Sequence, residues 1–380
     1  MKIPLIMYIY VLLGYFFYRK VYMNDFEIND IRNEKQFKGI TFSKFKRTDA
    51  KKELLNSLST GHIEKALHWS AEFICCGCFI ELWDIILNFV GKHIHLGNPK
   101  LPIYLEMRFN QFKELISTYS GFELNMRNSD KVRKIFGEII AVICNSKKKH
   151  SIESVKIKKQ DEFDMTTMAN KLKAPNVNYA TAIFKKDDPK ELFIAVNELA
   201  YHVSKDSRNA LDACYLLEWI LEFENLCKKR KEICICERRT FVGVDEKCVK
   251  EPIWMIWDVL FTENANNTTN TTEISKKILK SIFELFCMRY TSGAKKKRRY
   301  LLYFAISLLT DSFNTHIEII ENKTIIDNIT KKINLIYKEI KKNEQAPATD
   351  YLFNGLEKSN REKTFEKLEA MNNMNTIIRS

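Results

Sequence analysis

The sequence predicts an all-α protein, a multi-helix array, and two observations support this fold class. The eleven glycines and seven prolines make up about 5% of the 380 residues, against roughly 12% in average proteins, which leaves few turn formers for a sandwich or a disulfide-rich scaffold. Apolar residues also recur at helical spacing from residue 49 to residue 341. One small irregular or β insertion is expected around residues 146–165, because the segment 151–157 briefly alternates between polar and apolar residues.

The first half of the chain reads as a succession of helices. Gly61 separates the first two, and the segment Gly97-Asn98-Pro99 is a stop signal after the third. The third is apolar nearly all round, as a fully buried helix would be. The predicted helices are 49–59, 62–76, 79–92, 102–117 and 129–145.

Helices resume after a lysine-rich interruption. Asn209 is a suitable N-cap for one of them, and Pro252 stands at the first position of another. The predicted helices are 189–204, 209–229, 252–262, about 274–286, 300–310 and 317–341.

These patterns divide the chain into five parts. Ile3 to Tyr18 is an uncharged apolar run just short of the length that a spanning helix needs. Residues 1–22 are therefore interpreted either as a membrane anchor or as an extension upstream of a start at Met23. The five parts are the hydrophobic segment 1–22, a first helical part 40–145, a basic linker or insertion 146–187, a second helical part 188–341 and a charged tail 342–380.

The cysteines indicate a reducing compartment. Several of the ten lie in apolar helical contexts, where a free thiol behaves as a small hydrophobic side chain. Four of them, Cys227, Cys234, Cys236 and Cys248, fall in one basic region, but their spacing lacks the Cys-x-x-Cys knuckle of a strong zinc site. We expect reduced thiols, unoccupied Asn-x-Ser/Thr sequons and no bound metal.

The common enzyme motifs are absent. The chain contains no Gly-x-Gly, no Gly-x-x-x-x-Gly-Lys, no Gly-x-Ser-x-Gly and no His-Glu-x-x-His. ATPases, kinases, Rossmann oxidoreductases and the common hydrolases are therefore disfavoured. No catalytic residue and no cofactor is predicted, and a non-enzymatic role is favoured.

Two weak constellations keep an enzyme open as an alternative. His93 and His95 are two residues apart and could share a metal only from an irregular segment; hydrogen bonding at a helix end is the simpler interpretation. Glu72 and Glu218 lie in apolar helices and could do acid/base work if those helices met. The simpler interpretation is again that each satisfies a buried polar partner.

Charge gives the main functional signal. Lys and Arg number 61 against 48 Asp and Glu, a net charge of +13, which favours a polyanionic partner. The cations concentrate in three clusters. The first cluster is Lys147, Lys148 and Lys149, followed by His150, Lys156, Lys158 and Lys159; the second is Lys228, Lys229, Arg230 and Lys231 with Arg238 and Arg239; the third is Lys295, Lys296, Lys297, Arg298 and Arg299.

The third cluster is the densest and stands just before the apolar run 300–309, near the start of a helix. Cations are unfavourable there because the helix dipole is positive at that end. A chain shaped only for stability would place acids at this position. We therefore expect these side chains to contact phosphates, and their replacement to cost little stability. A solvated run of charge is the alternative.

Four segments resemble an uncharacterised protein family of nucleocytoplasmic large DNA viruses. The resemblance covers about residues 40–320 and implies a location in the host cytoplasm, at the virus factory, or in the infected nucleus. It implies no known chemistry. The segments are Glu64-Lys-Ala-Leu-His-Trp-Ser-Ala-Glu72, His93-Ile-His-Leu-Gly-Asn-Pro-Lys-Leu-Pro-Ile-Tyr-Leu105, Asp188-Pro-Lys-Glu-Leu-Phe193 and Lys295-Lys-Lys-Arg-Arg-Tyr-Leu-Leu-Tyr-Phe-Ala305.

A second, shorter resemblance concerns about 60 residues. The run Ala66-Leu-His-Trp69, followed by His95-Leu-Gly-Asn-Pro99, is similar to the helical C-terminal collar of clamp-loader-like AAA ATPases. No Walker module precedes it, so ATPase activity does not carry over. The resemblance implies an oligomerising helical platform.

The favoured function is that of a non-enzymatic viral accessory protein whose basic helical module binds nucleic acid or the replication and transcription machinery, and which can form a homo-oligomer. The first alternative is a membrane-anchored viral protein with a cytosolic helical domain. The second is a divergent enzyme with a Glu/His or Cys/His site.

Overall fold

The computed structural model describes residues 25–119, 123–157, 163, 171–266, 272–320 and 322–345. Within these ranges 63% of the residues are helical and no strand is formed, which confirms the all-α prediction. The predicted anchor or extension 1–22 and all but the first residues of the predicted tail lie outside the described ranges.

Twelve α-helices occur in the described part of the chain. They are α1 Arg47–Thr60, α2 Ile63–Cys75, α3 Phe79–Phe89, α4 Leu101–Thr118, α5 Asp130–Asn145, α6 Phe193–Val203, α7 Ala210–Arg230, α8 Ile253–Asn266, α9 Thr272–Cys287, α10 Ala294–Lys297, α11 Arg299–Thr310 and α12 Lys323–Lys341.

Two predicted segments differ from the structure, and a third resolves an alternative that the sequence left open. The helix predicted over 79–92 ends as α-helix at Phe89 and continues as a π-helical turn, Val90–Ile94. The predicted start of the last helix at 317 is wrong, because the Asn322 side chain accepts the backbone N–H of Ile325 and caps α12 at that point. Residues 146–157 are irregular, so the irregular alternative applies to the described part of the insertion.

The helices share one apolar core, and α11 lies at its centre. Residues 301–310 of this helix are all buried. They pack against α3, α6, α7, α8 and α9, and also against the π-helical turn. The last helix, α12, lies on α2 and α5. The first turn of α11, where the third basic cluster ends, is consequently fixed by contacts to both halves of the chain.

No helix in the described ranges combines the length and the apolar character that a membrane crossing requires.

Candidate polyanion-binding surface

The third basic cluster divides into buried and exposed residues. Lys295 is only 2% exposed, and its ammonium group lies 2.5 Å from the Glu224 carboxylate on α7 and 2.9 Å from Glu251. Tyr290 and Ser292 donate further hydrogen bonds to Glu251. Burial alone would raise the pKa of Glu251, but the hydrogen bonds from Lys295 and Ser292 hold this pKa below its ordinary value.

Lys295 is therefore part of an internal ion cluster that joins α7, α10 and the residues preceding α8. This corrects the prediction that it contacts phosphates, because a 2% exposed ammonium group with two carboxylate partners cannot reach an external anion without breaking the fold.

Arg298 also points inward. Its guanidinium lies 2.8 Å from the carboxylate of Asp84 on α3 and donates to the backbone carbonyls of Phe286 and Met288. Those carbonyls lie at the end of α9, where the last carbonyl groups of a helix have no intrahelical N–H to accept from. The prediction of a phosphate contact at Arg298 is corrected for the same reason, since this side chain closes a helix end inside the molecule.

The other members of the third cluster face solvent to different degrees. Lys296 and Lys297 are exposed, and neither forms an ion pair with a carboxylate in the described ranges. Arg299 is half-buried; it donates to the Ser154 hydroxyl at 2.7 Å and lies 3.4 Å from Glu218. The positive charge that remains available at this end of α11 is mainly that of Lys296 and Lys297.

The second cluster has a structural explanation for part of its charge. Arg239 is 1% exposed and forms two hydrogen bonds, of 2.5 and 2.6 Å, with the Asp188 carboxylate, and a third with Asp258. This corrects its prediction as a nucleic-acid contact. Arg238 is exposed and pairs with Glu246 at 3.0 Å.

Lys228, Lys229 and Arg230 are exposed in the last turn of α7. Cations are favourable at this end of a helix because the dipole is negative there. Lys228 in addition pairs with the buried Glu224 at 2.6 Å, next to Lys295. Helix stabilisation accounts for these three positions, so the need for an external anion is weaker here than at Lys296 and Lys297.

In the first cluster, Lys147 and Lys149 are exposed, whereas Lys148 is half-buried and hydrogen-bonded within the protein. The Lys148 ammonium donates to the carbonyls of Ile143 and Cys144 at 2.9 and 2.7 Å and so caps the end of α5. Burial lowers the pKa of Lys148. Lys158 and Lys159 lie outside the described residues, and Lys156 is exposed.

Two glycines bring the first and third clusters together. Gly91, in the π-helical turn, lies so close to Tyr300 that a Cβ there would be 2.8 Å from the Tyr300 backbone carbonyl. A Cβ at Gly97 would lie closer still to the backbone carbonyl of Lys147. The segment after α5 is also paired with the turn, because the Lys149 N–H donates to the His93 carbonyl and the Ser151 N–H to the Lys92 carbonyl.

This close packing gives a prediction. Replacing Gly97 with alanine places a methyl group inside van der Waals distance of the Lys147 carbonyl, and we expect a loss of about 1–3 kcal/mol in unfolding free energy because backbone must move. Gly243→Ala is the matched control, since a Cβ there meets nothing within 4 Å. Urea midpoints that are equal for the two variants would contradict the close approach.

The resulting arrangement is a surface built from three separate segments, which we call the composite basic surface. The Lys92 ammonium lies 5.5 Å from the centroid of the Tyr300 ring, at the start of α11, and the bond from Arg299 to Ser154 joins this helix start to the segment that follows the first cluster. Acidic groups near it are Glu218 and the exposed Glu153. The surface consists of Lys92, His93, Lys147, Lys149, His150, Lys296 and Lys297.

His93 and His95, which are two residues apart in the sequence, have different partners in the structure. His93 Nδ1 lies 3.1 Å from His150 Nδ1, whereas His95 is buried and stacked on Phe304 with ring centroids 4.9 Å apart. His95 also adopts a positive φ of 48° immediately after the π-helical turn. Irregular helix geometry and unusual backbone angles are enriched at functional sites. The sequence drew attention to His93 and His150 separately but did not predict their contact, because 57 residues separate them.

Each of the two acid/base candidates, Glu72 and Glu218, has a polar partner of its own. Glu72 accepts hydrogen bonds from the backbone and hydroxyl of Ser43, while Glu218 accepts one from Tyr303 at 2.9 Å, and burial raises the pKa of Glu218. In the ranges that the structure describes, no group of three or more His, Cys, Asp or Glu side chains is arranged to hold a metal ion.

No protein-family model matches the chain, and neither a curated protein nor a solved structure is significantly similar to it.

Proposed function

We propose that the protein binds a nucleic acid, and that it does so through the composite basic surface. The observation that carries the proposal is the assembly of five lysines from three segments, Lys92, Lys147, Lys149, Lys296 and Lys297, with no carboxylate in an ion pair with any of them among the described residues. The five lysines outnumber the acids near them, which are Glu218, on which the charge of Lys296 acts, and Glu153. An excess of like charge opposes folding. A polyanion supplies the missing counter-charge.

The internal ion clusters strengthen this argument. The fold satisfies Lys295 with two carboxylates and Arg298 with one, so the chain pairs its cations where they serve stability. Lys296 and Lys297 are adjacent in sequence to those paired residues but form no ion pair in the described part of the structure, and Lys296 acts on the Glu218 carboxylate only at longer range. That contrast favours a contact with an external anion over a solvated run of charge.

The proposal predicts a salt-dependent affinity. For a short fluorescently labelled DNA duplex, log affinity is expected to fall linearly with log salt, by about 0.9 for each phosphate contacted. Replacing both Lys147 and Lys149 with glutamine should reduce that slope by up to about two contacts, and replacing both Lys296 and Lys297 should do the same.

The matched control is the double replacement Lys51→Gln and Lys52→Gln. These two exposed lysines lie at the start of α1, whereas the end of α1, at Gly61, is the part that approaches Cys144 and the first cluster. The control variant should keep the wild-type slope. If it loses as much slope as the surface variants, the binding is diffuse and the composite surface is not its site.

A further inference from the structure

His93 and His150 lie within the composite basic surface, and their imidazole rings are in direct contact with each other. Their Nδ1 atoms are 3.1 Å apart and their rings are nearly perpendicular, with an interplanar angle of 84°. At this distance one imidazole must be the donor and the other the acceptor, so at least one Nδ1 carries a proton. His150 is exposed and His93 is half-buried, which leaves the pair open to a ligand.

The groups around the pair are cationic or aromatic. Lys92 and Lys149 are the sequence neighbours of the two histidines, and the Phe89 ring of α3 packs on His93 with centroids 4.9 Å apart. Burial, the charge of Lys92 and the neighbouring His150 lower the pKa of His93 to about 4. No carboxylate contributes to that shift. In the free protein His93 is consequently neutral at physiological pH.

We propose that the His93–His150 pair is a phosphate-binding subsite of the composite basic surface, and that a phosphate bound there is accompanied by the uptake of one proton from solvent. An anionic oxygen near the pair supplies the negative charge that the free site lacks. It favours the form of the pair that holds one extra proton, in which one ring keeps its Nδ1–H bond to the Nδ1 of the other and both rings carry an Nε2–H that can donate to phosphate oxygens. The inference rests on the proposed nucleic-acid binding and adds a specific contact to it.

Proton linkage fixes the sign of the effect. A site whose ligand-bound form holds more protons than its free form binds more tightly as the pH falls. Affinity for DNA should therefore rise from about pH 7 to about pH 5, by up to about tenfold for each pH unit when one proton is taken up. Lysine side chains stay protonated throughout this pH range, so phosphate contacts made by lysines alone give no such pH dependence.

The experiment measures the affinity of a short DNA duplex at fixed salt between about pH 5 and about pH 7.5. It compares the wild-type chain with His150→Gln, with His93→Gln and with the control His316→Gln, an exposed histidine beyond the end of α11. Calorimetry in two buffers of different protonation enthalpy gives the number of protons taken up. We expect a pH slope and proton uptake in the wild type and the control, and neither in the two pair variants.

The outcomes separate the two proposals. Salt-dependent binding that is independent of pH, or a pH slope that persists in His150→Gln, overturns the subsite and leaves the composite basic surface intact. Absence of binding at every pH and at low salt overturns both. Two imidazole nitrogens at this distance could instead share a metal ion; binding abolished by a chelator would contradict the phosphate subsite in favour of that occupant.

Discussion

Replacing Lys295 with methionine is expected to lower the unfolding free energy by about 3–5 kcal/mol, because it leaves the Glu251 carboxylate without a cation inside the protein and leaves Glu224 with Lys228 alone. Both acids are themselves buried, at 1% and 8% exposure. A loss of this size is a large fraction of the stability of a typical domain. Urea unfolding followed by circular dichroism measures it.

The matched controls are Lys296→Met and Lys297→Met, which alter the same run of cations at exposed positions. Each should change the unfolding free energy by no more than about 0.5 kcal/mol. Adding Glu224→Gln and Glu251→Gln to Lys295→Met should recover part of the loss, since the two buried negative charges that have lost the Lys295 cation are then removed. A Lys295→Met chain as stable as the Lys297→Met chain would show that Lys295 is solvated and available to ligands.

Arg239→Met is expected to have an effect of similar size, about 3–5 kcal/mol at neutral pH. Asp188 would keep its backbone hydrogen bonds from Lys185 and Glu237 but lose both bonds from the guanidinium. Asp258 would lose its bond to Arg239 as well. Arg238→Met is the control, because that residue pairs with Glu246 at the surface.

The effect should depend on pH in a defined direction. Burial alone would raise the pKa of Asp188, but Arg239 and two backbone donors hold it below the ordinary value. A depressed pKa stabilises the fold above the unfolded-state pKa, near 3.9, and this contribution is lost as the pH falls. The stability gap between wild type and Arg239→Met should thus be widest near neutral pH and narrow towards about pH 3. A gap that widens in acid would contradict the ion pair.

The helical fold could be predicted from the sequence because local periodicity and caps determine most of it. Asn209, for example, accepts the Asp212 N–H as the N-cap of α7. The inward orientation of Lys295 could not be predicted, because it depends on the break between α10 and α11 and on acids 71 and 44 residues away. Within one run of five cations, Lys295 is buried in an ion cluster whereas Lys296 and Lys297 are exposed to solvent.

The composite basic surface was only partly accessible to sequence reasoning. Lys147, Lys149, Lys296 and Lys297 stand out as charge runs. Lys92 does not, because it is a single cation at the end of an apolar helix. Its place beside Tyr300 follows from the close packing at Gly91, which is a contact between distant segments. A glycine within an otherwise apolar helical pattern was the one available signal.

Lysine acetylation with and without a DNA duplex, read residue by residue by mass spectrometry, tests the central claim most directly. The account predicts that Lys295 is unreactive in both states, that Lys92, Lys147, Lys149, Lys296 and Lys297 react in the free protein and are protected by DNA, and that Lys51 and Lys52 react in both states. Reaction of Lys295 in the native chain, or protection of Lys51 and Lys52 in place of the five surface lysines, would contradict it.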